Sequence, residues 1–139
     1  MPNPQPRVLM ICSSFVMLAL GVLLTFAPQE VLTWGGSLPQ PFSTLLAEAS
    51  GALYLGFAML NWMAKDNLIG GIYSRPVAIG NFAHYFILAA TLFRLVFAGP
   101  LPAILWAVAI VYGIFASWFG WVLFTSPQLR AASRTMRTS

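Results

Sequence analysis

Glu48, Tyr54, Asn61, Asn81, His84 and Arg94 have side chains that can do chemistry, and all of them sit inside apolar runs. Polar and ionisable groups are costly to hold in hydrocarbon, so each is by default a candidate for binding, proton handling or helix pairing. Glu48 and Arg94 carry opposite charges and suit an ion pair that sets helix register; the alternative for Glu48 is a ligand- or proton-handling role. His84 is the single histidine, able to act as acid, base or hydrogen-bonding partner. A metal site is not indicated, because no second histidine, no clustered carboxylates and only one cysteine, Cys12, accompany it. No catalytic dyad at an established spacing is present, so no residue is assigned as catalytic and no cofactor is implied. Asn61 and Asn81 read as interhelical hydrogen-bonding residues, worth ~0.6–2 kcal/mol per contact.

Spacing places these residues on helix faces. Ala47, Gly51, Tyr54, Ala58 and Asn61 recur every three or four residues and share a face, which Glu48 borders. Asn81, His84, Leu88 and Thr91 share a second face. Arg94 lies roughly 80° from His84 at 3.6 residues per turn, near enough for its long chain to swing back or to snorkel outward. If the two segments run antiparallel, a rise of ~1.5 Å per residue puts Glu48 ~9 Å and Arg94 ~6 Å below one surface. Tyr54 and His84 then lie at ~18 and ~21 Å, and Asn61 and Asn81 at ~28 and ~25 Å. Three matched polar layers are therefore expected between these segments.

The elements that must carry these faces are membrane helices. The chain has 139 residues, 59% hydrophobic and 7% charged, with a mean hydropathy of +0.80. Soluble domains are about 25% charged, so this composition excludes an ordinary soluble fold. Four apolar runs of twenty or more residues are expected to be helices, at residues 8–27, 42–64, 76–98 and 103–124. The first run exceeds the roughly 7–15-residue core of a signal peptide and is read as a retained span. Between the first two runs, Val31, Leu32 and Trp34 suit the headgroup region, as a short interfacial helix followed by a turn at Gly35-Gly36. Asn67, Gly70-Gly71 and Ser74 mark the middle loop, and Pro76 suits the first turn of the third span. Gly99-Pro100-Leu101-Pro102 is a tight turn, and residues 125–139 form a basic tail. Short connectors make sequential helices antiparallel, so the expected fold is all-α: a single-domain transmembrane four-helix bundle with up-down neighbours.

The net charge of +4 does not mark a nucleic-acid binder, since the cations sit at the ends of apolar runs. Arg7, Lys65, Arg75, Arg130, Arg134 and Arg137 fall on one side, and the opposite loops hold no Lys or Arg. The positive-inside rule then places both termini in the cytoplasm, in a bacterial cell at the inner membrane. Small residues at Gly51, Ala52 and Gly56, and at Gly113, Ala116 and Gly120, permit close helix contact, within the bundle or between copies.

The segment AEASGALYLGFAMLNW, with GNFAHYF opening the next span, resembles small four-helix bacterial membrane proteins of the DoxX-like group. The likeness covers the second and third spans and rests on Glu48, Gly51 and Gly56; the first span lacks the basic residue expected within it. The resemblance implies the bundle fold and transfers no mechanism. The functional expectation is an accessory, assembly or interaction subunit, as a homo-oligomer or within a larger membrane complex, its surroundings being the lipid bilayer. The alternative is a small transporter or lipophilic-ligand-binding protein, with Glu48, Tyr54 and His84 around a polar pocket between spans two and three. An enzyme using His84 as acid or base has less support.

Overall fold

The computed structural model describes residues 4–66 and 74–125. Gly70-Gly71 of the middle loop and Arg130, Arg134 and Arg137 of the tail lie outside the described residues. The described chain is helical: α1 (Pro4–Phe26), α2 (Pro28–Trp34), α3 (Pro41–Ala64), α4 (Ser74–Ala98) and α5 (Ala103–Thr125). Of these, α1, α3, α4 and α5 are long and apolar enough to cross a bilayer. In lipid the backbone must satisfy itself, and a helix does this within each segment. The fold is an antiparallel four-helix bundle with one short additional helix.

Local sequence sets the helix ends. Pro28 and Pro41 start α2 and α3 at positions where the missing N–H costs no hydrogen bond. At the start of α3 the backbone N–H of Gln40 donates to Ser43 Oγ at 3.0 Å, which covers a donor the helix leaves free. α2 ends at Gly35, and Gly36 takes φ +80°, a left-handed conformation that glycine adopts without steric cost. The short helix expected between the first two spans and the turn after it are therefore both present.

The helices pack in the ring order α1–α3–α4–α5. α1 lies most extensively against α3 and α4 against α5, while the α3–α4 and α1–α5 seams are sparser. Hydrophobicity supplies no drive between helices surrounded by lipid, so close approach and polar bonds must hold them. The α1–α3 seam closes at paired glycines. A Cβ on Gly51 would lie 2.8 Å from Thr25 N and 3.0 Å from Gly21 O, and one on Gly21 would lie 2.9 Å from Leu55 Cγ. The α4–α5 seam instead fits rings into notches: a Cβ on Gly113 would come within 3.2 Å of Phe93, and one on Gly120 within 3.1 Å of Phe82. Gly51, Gly113 and Gly120 thus serve contacts inside the bundle. Gly56 has open space around it.

The core is narrow and aromatic. Tyr85 stacks on Phe115 at 4.8 Å and on Phe119 at 5.7 Å, with Met10, Met17, Ala89 and Ala116 buried around them. The outer faces carry large exposed apolar side chains such as Leu53, Ile87, Ile114 and Trp121, as lipid contact requires.

Candidate functional site

Part of the polar set of the spans meets inside the bundle: Ser13, Asn61, Asn81, Tyr54, His84, Tyr85 and Tyr112. Ala47, Gly51, Ala58 and Asn61 are the buried stripe of α3, the face expected from their spacing. That face lies mainly against α1, and only its edge reaches α4. On α4 the buried stripe runs through Ala78, Asn81, Tyr85 and Ala89, with His84 and Leu88 half-buried beside it and Thr91 exposed.

Asn61 and Asn81 are fully buried and exchange two hydrogen bonds. Asn61 Nδ2 donates to Asn81 Oδ1 at 2.8 Å, and Asn81 Nδ2 donates to Asn61 Oδ1 at 2.6 Å. The remaining donors are also used: Asn61 Nδ2 reaches Ser13 Oγ at 2.8 Å, and Asn81 Nδ2 reaches the Val77 carbonyl at 2.8 Å. Ser13 Oγ in turn shares a proton with the Tyr85 hydroxyl at 2.9 Å. Ser14 Oγ donates to the Ala58 carbonyl at 2.8 Å, which ties α1 to α3 once more. A second bond joins the hydroxyls of Tyr54 and Tyr112. Ser13–Tyr85 therefore bridges one diagonal of the bundle, α1 to α4, and Tyr54–Tyr112 bridges the other, α3 to α5.

His84 lies between these two bonds, in a cage of rings. Tyr54 meets it edge-on at 5.2 Å, Phe57 stacks at 5.5 Å, and Tyr85 and Tyr112 stand at 5.4 and 5.7 Å. Its Nε2 is buried and makes no hydrogen bond within the described residues. Tyr54 and His84 are thus in contact, as their depths suggest, and so are Asn61 and Asn81.

Glu48 and Arg94 are not brought together. Both are exposed, and the ion pairs among the described residues are Arg7–Asp66 at 3.1 Å and Lys65–Asp66 at 3.4 Å. The reason is angular. Glu48 is one residue off a face turned toward α1, and Arg94 is turned away from His84 on a helix that touches α3 only sparsely. Glu48 instead lines a groove of about 320 Å³ with Gln29, Gln40 and Thr44 at the α2–α3 corner. The expected pocket uniting Glu48, Tyr54 and His84 is therefore divided between a surface groove and a packed interior.

Sequence reasoning missed Ser13 and Ser14 of α1 and Tyr112 of α5 as members of the polar centre. The signal was available: Met10, Ser13 and Met17 share a face of α1, and Tyr112 is the one tyrosine of the last span. Further grooves open on the outer surface. One of about 750 Å³ between α4 and α5 is lined by Phe93, Ile110, Gly113, Ile114, Ser117, Trp118 and Trp121. Another of about 350 Å³ lies between α1 and α3, with Ser14, Phe15, Leu18, Met59 and Trp62 on its walls.

Four spanning helices around a hydrogen-bonded polar centre define a small polytopic integral membrane protein. No family model, no curated protein and no solved structure matches the chain.

Proposed function

We propose that this protein is a non-enzymatic accessory or interaction subunit that works through helix contacts in the membrane, with other proteins or with its own copies. The observation that carries this reading is the mutual satisfaction of the polar groups in the asparagine cluster. Asn61, Asn81, Ser13 and Tyr85 bond to one another as a clamp across α1, α3 and α4, and the Tyr54–Tyr112 bond ties in α5. The free shape lies outside, where the α4–α5 groove has the small, exposed Ser117 among Ile114, Trp118 and Trp121. Small residues flanked by large ones admit a neighbouring helix at close range. The orientation we propose has both termini in the cytoplasm, supported by Arg7, Lys65 and Arg75 at one end of the bundle, and in a bacterium the membrane is the inner one. Kinship with DoxX-like proteins is likewise a proposal, carried by the Glu48, Gly51 and Gly56 pattern.

Light scattering on protein purified in mild detergent tests this reading. The expected result is a mass above that of one 15.2 kDa chain, or a stoichiometric partner, reduced by Ile114→Trp, which fills the groove. A strictly monomeric protein that co-purifies with nothing would sink it.

A second reading has its own support in His84. A buried ring nitrogen without a hydrogen-bond partner among the described residues is a group for which a ligand is a physical explanation. An aromatic cage suits a flat lipophile that brings one oxygen to the ring nitrogen, such as a quinone through one of its two carbonyls. Equal binding of a short-chain quinone by the wild type and His84→Phe would remove this alternative.

A further inference from the structure

We propose that the groove between α1 and α3 is a binding site for one anionic phospholipid, with an acyl chain in the groove and the phosphate at Arg7 and Lys65. The groove walls are apolar: Phe15 and Leu18 on α1, Met59, Trp62 and Met63 on α3, with Ala58 at the floor. The floor offers little polarity, because Ser14 Oγ already donates to the Ala58 carbonyl. A slot of about 350 Å³ that opens toward lipid is suited to a hydrocarbon chain.

The charges stand over one end of that slot. Arg7 lies two helical turns before Ser14, on the same face of α1. Lys65 and Asp66 follow directly after the end of α3, and Lys65 Nζ sits 4.3 Å from the centre of the Trp62 ring. Arg7 therefore lies ~10 Å along α1 from Ser14 and Lys65 only ~3–5 Å past Met63 and Trp62 at 1.5 Å per residue, distances that a glycerol backbone and the first carbons of a chain can cover.

Donors are also left over. Asp66 accepts from Arg7 Nε at 3.1 Å, and the guanidinium, on a side chain 62% exposed, carries further N–H donors beyond that one. Lys65 spends its ammonium on the Trp62 carbonyl at 3.2 Å and on Asp66 at 3.4 Å, which leaves a third N–H. Two cations against one carboxylate carry a net positive charge, and the free donors are those that a phosphate accepts. The occupant is an anionic lipid rather than a zwitterionic one because an ammonium head would face Arg7 and Lys65.

Trp62 provides the readout, since it lines the slot. The protein is reconstituted into two vesicle preparations of identical composition, equal parts phosphatidylglycerol and phosphatidylcholine. The chains are brominated on the first lipid in one preparation and on the second lipid in the other. The share of fluorescence quenching that Trp62→Phe removes reports which lipid occupies the groove, and this phenylalanine keeps a ring against Phe15. We expect quenching from the anionic lipid to exceed that from the zwitterionic one by about fivefold, the enrichment that one surface cation typically supports. Arg7→Gln with Lys65→Gln should bring the ratio near unity, while Arg75→Gln, at the same end on α4, should leave it unchanged. Equal quenching in the two wild-type preparations overturns the proposal without reliance on the charge variants. An equal loss with Arg75→Gln also overturns it, since the preference would then belong to the surface potential and not to this groove.

Discussion

Asn61 and Asn81 each present two amide donors and one carbonyl oxygen to an interior that has no water to offer them. Together they place all four donors, on each other, on Ser13 and on the Val77 carbonyl. Removing one partner strands the other, and this asymmetry outweighs the value of the bond itself. Asn81→Leu is therefore expected to cost ~1–3 kcal/mol, while the double variant Asn61→Leu with Asn81→Leu recovers part of that loss. Unfolding in mixed micelles, read as a double-mutant cycle, checks this; additive losses would show that the pair is not coupled. The residues of this layer were legible from type and helical phase. The contribution of Ser13 was not, because a lone serine in an apolar helix can also bond back to its own preceding turn. Ser50, Ser117 and Thr125 do so, donating to the carbonyls four residues earlier.

At the scale of the element, α1 and α3 come into backbone contact at Gly21 and Gly51. Thr25 N and Gly21 O leave no room for a Cβ on Gly51. Gly51→Val should force the helices apart and cost ~1–3 kcal/mol by overpacking, since the Thr25 hydroxyl can rotate away but the backbone atoms Thr25 N and Gly21 O cannot. Gly56→Ala, in the same helix with nothing within 4 Å, should be neutral or slightly stabilising. Comparing the two variants in the same unfolding assay separates packing from helix propensity, and equal losses would contradict the contact. Small-residue spacing in the sequence marked both glycines as alike. Only the partner surface distinguishes the one that touches a backbone from the one that faces open space.

For the whole molecule, an even number of spans carries the chain back to the side where it started. Arg7 and Asp66 form an ion pair across the beginning of α1 and the end of α3, and the α2 corner lies at the other end of the same helices. In a background lacking Cys12, Glu30→Cys and Asp66→Cys are expected to react with a membrane-impermeant maleimide from opposite sides. Labelling of both from one side would contradict a bundle that crosses the bilayer. The sequence by itself determined the spans, their helical state and the faces that carry polar residues. These follow from segment length, backbone satisfaction in hydrocarbon and the period of the helix, all of which are local. Tertiary structure alone decided which face meets which neighbour. It turned the small-residue face of α3 toward α1, drew Ser13 and Tyr112 into the centre and left Glu48 and Arg94 apart on the surface. A helix rotates about its axis by 100° per residue, so a side chain one position off a face answers to the partner that packing selects, and no single segment encodes that partner.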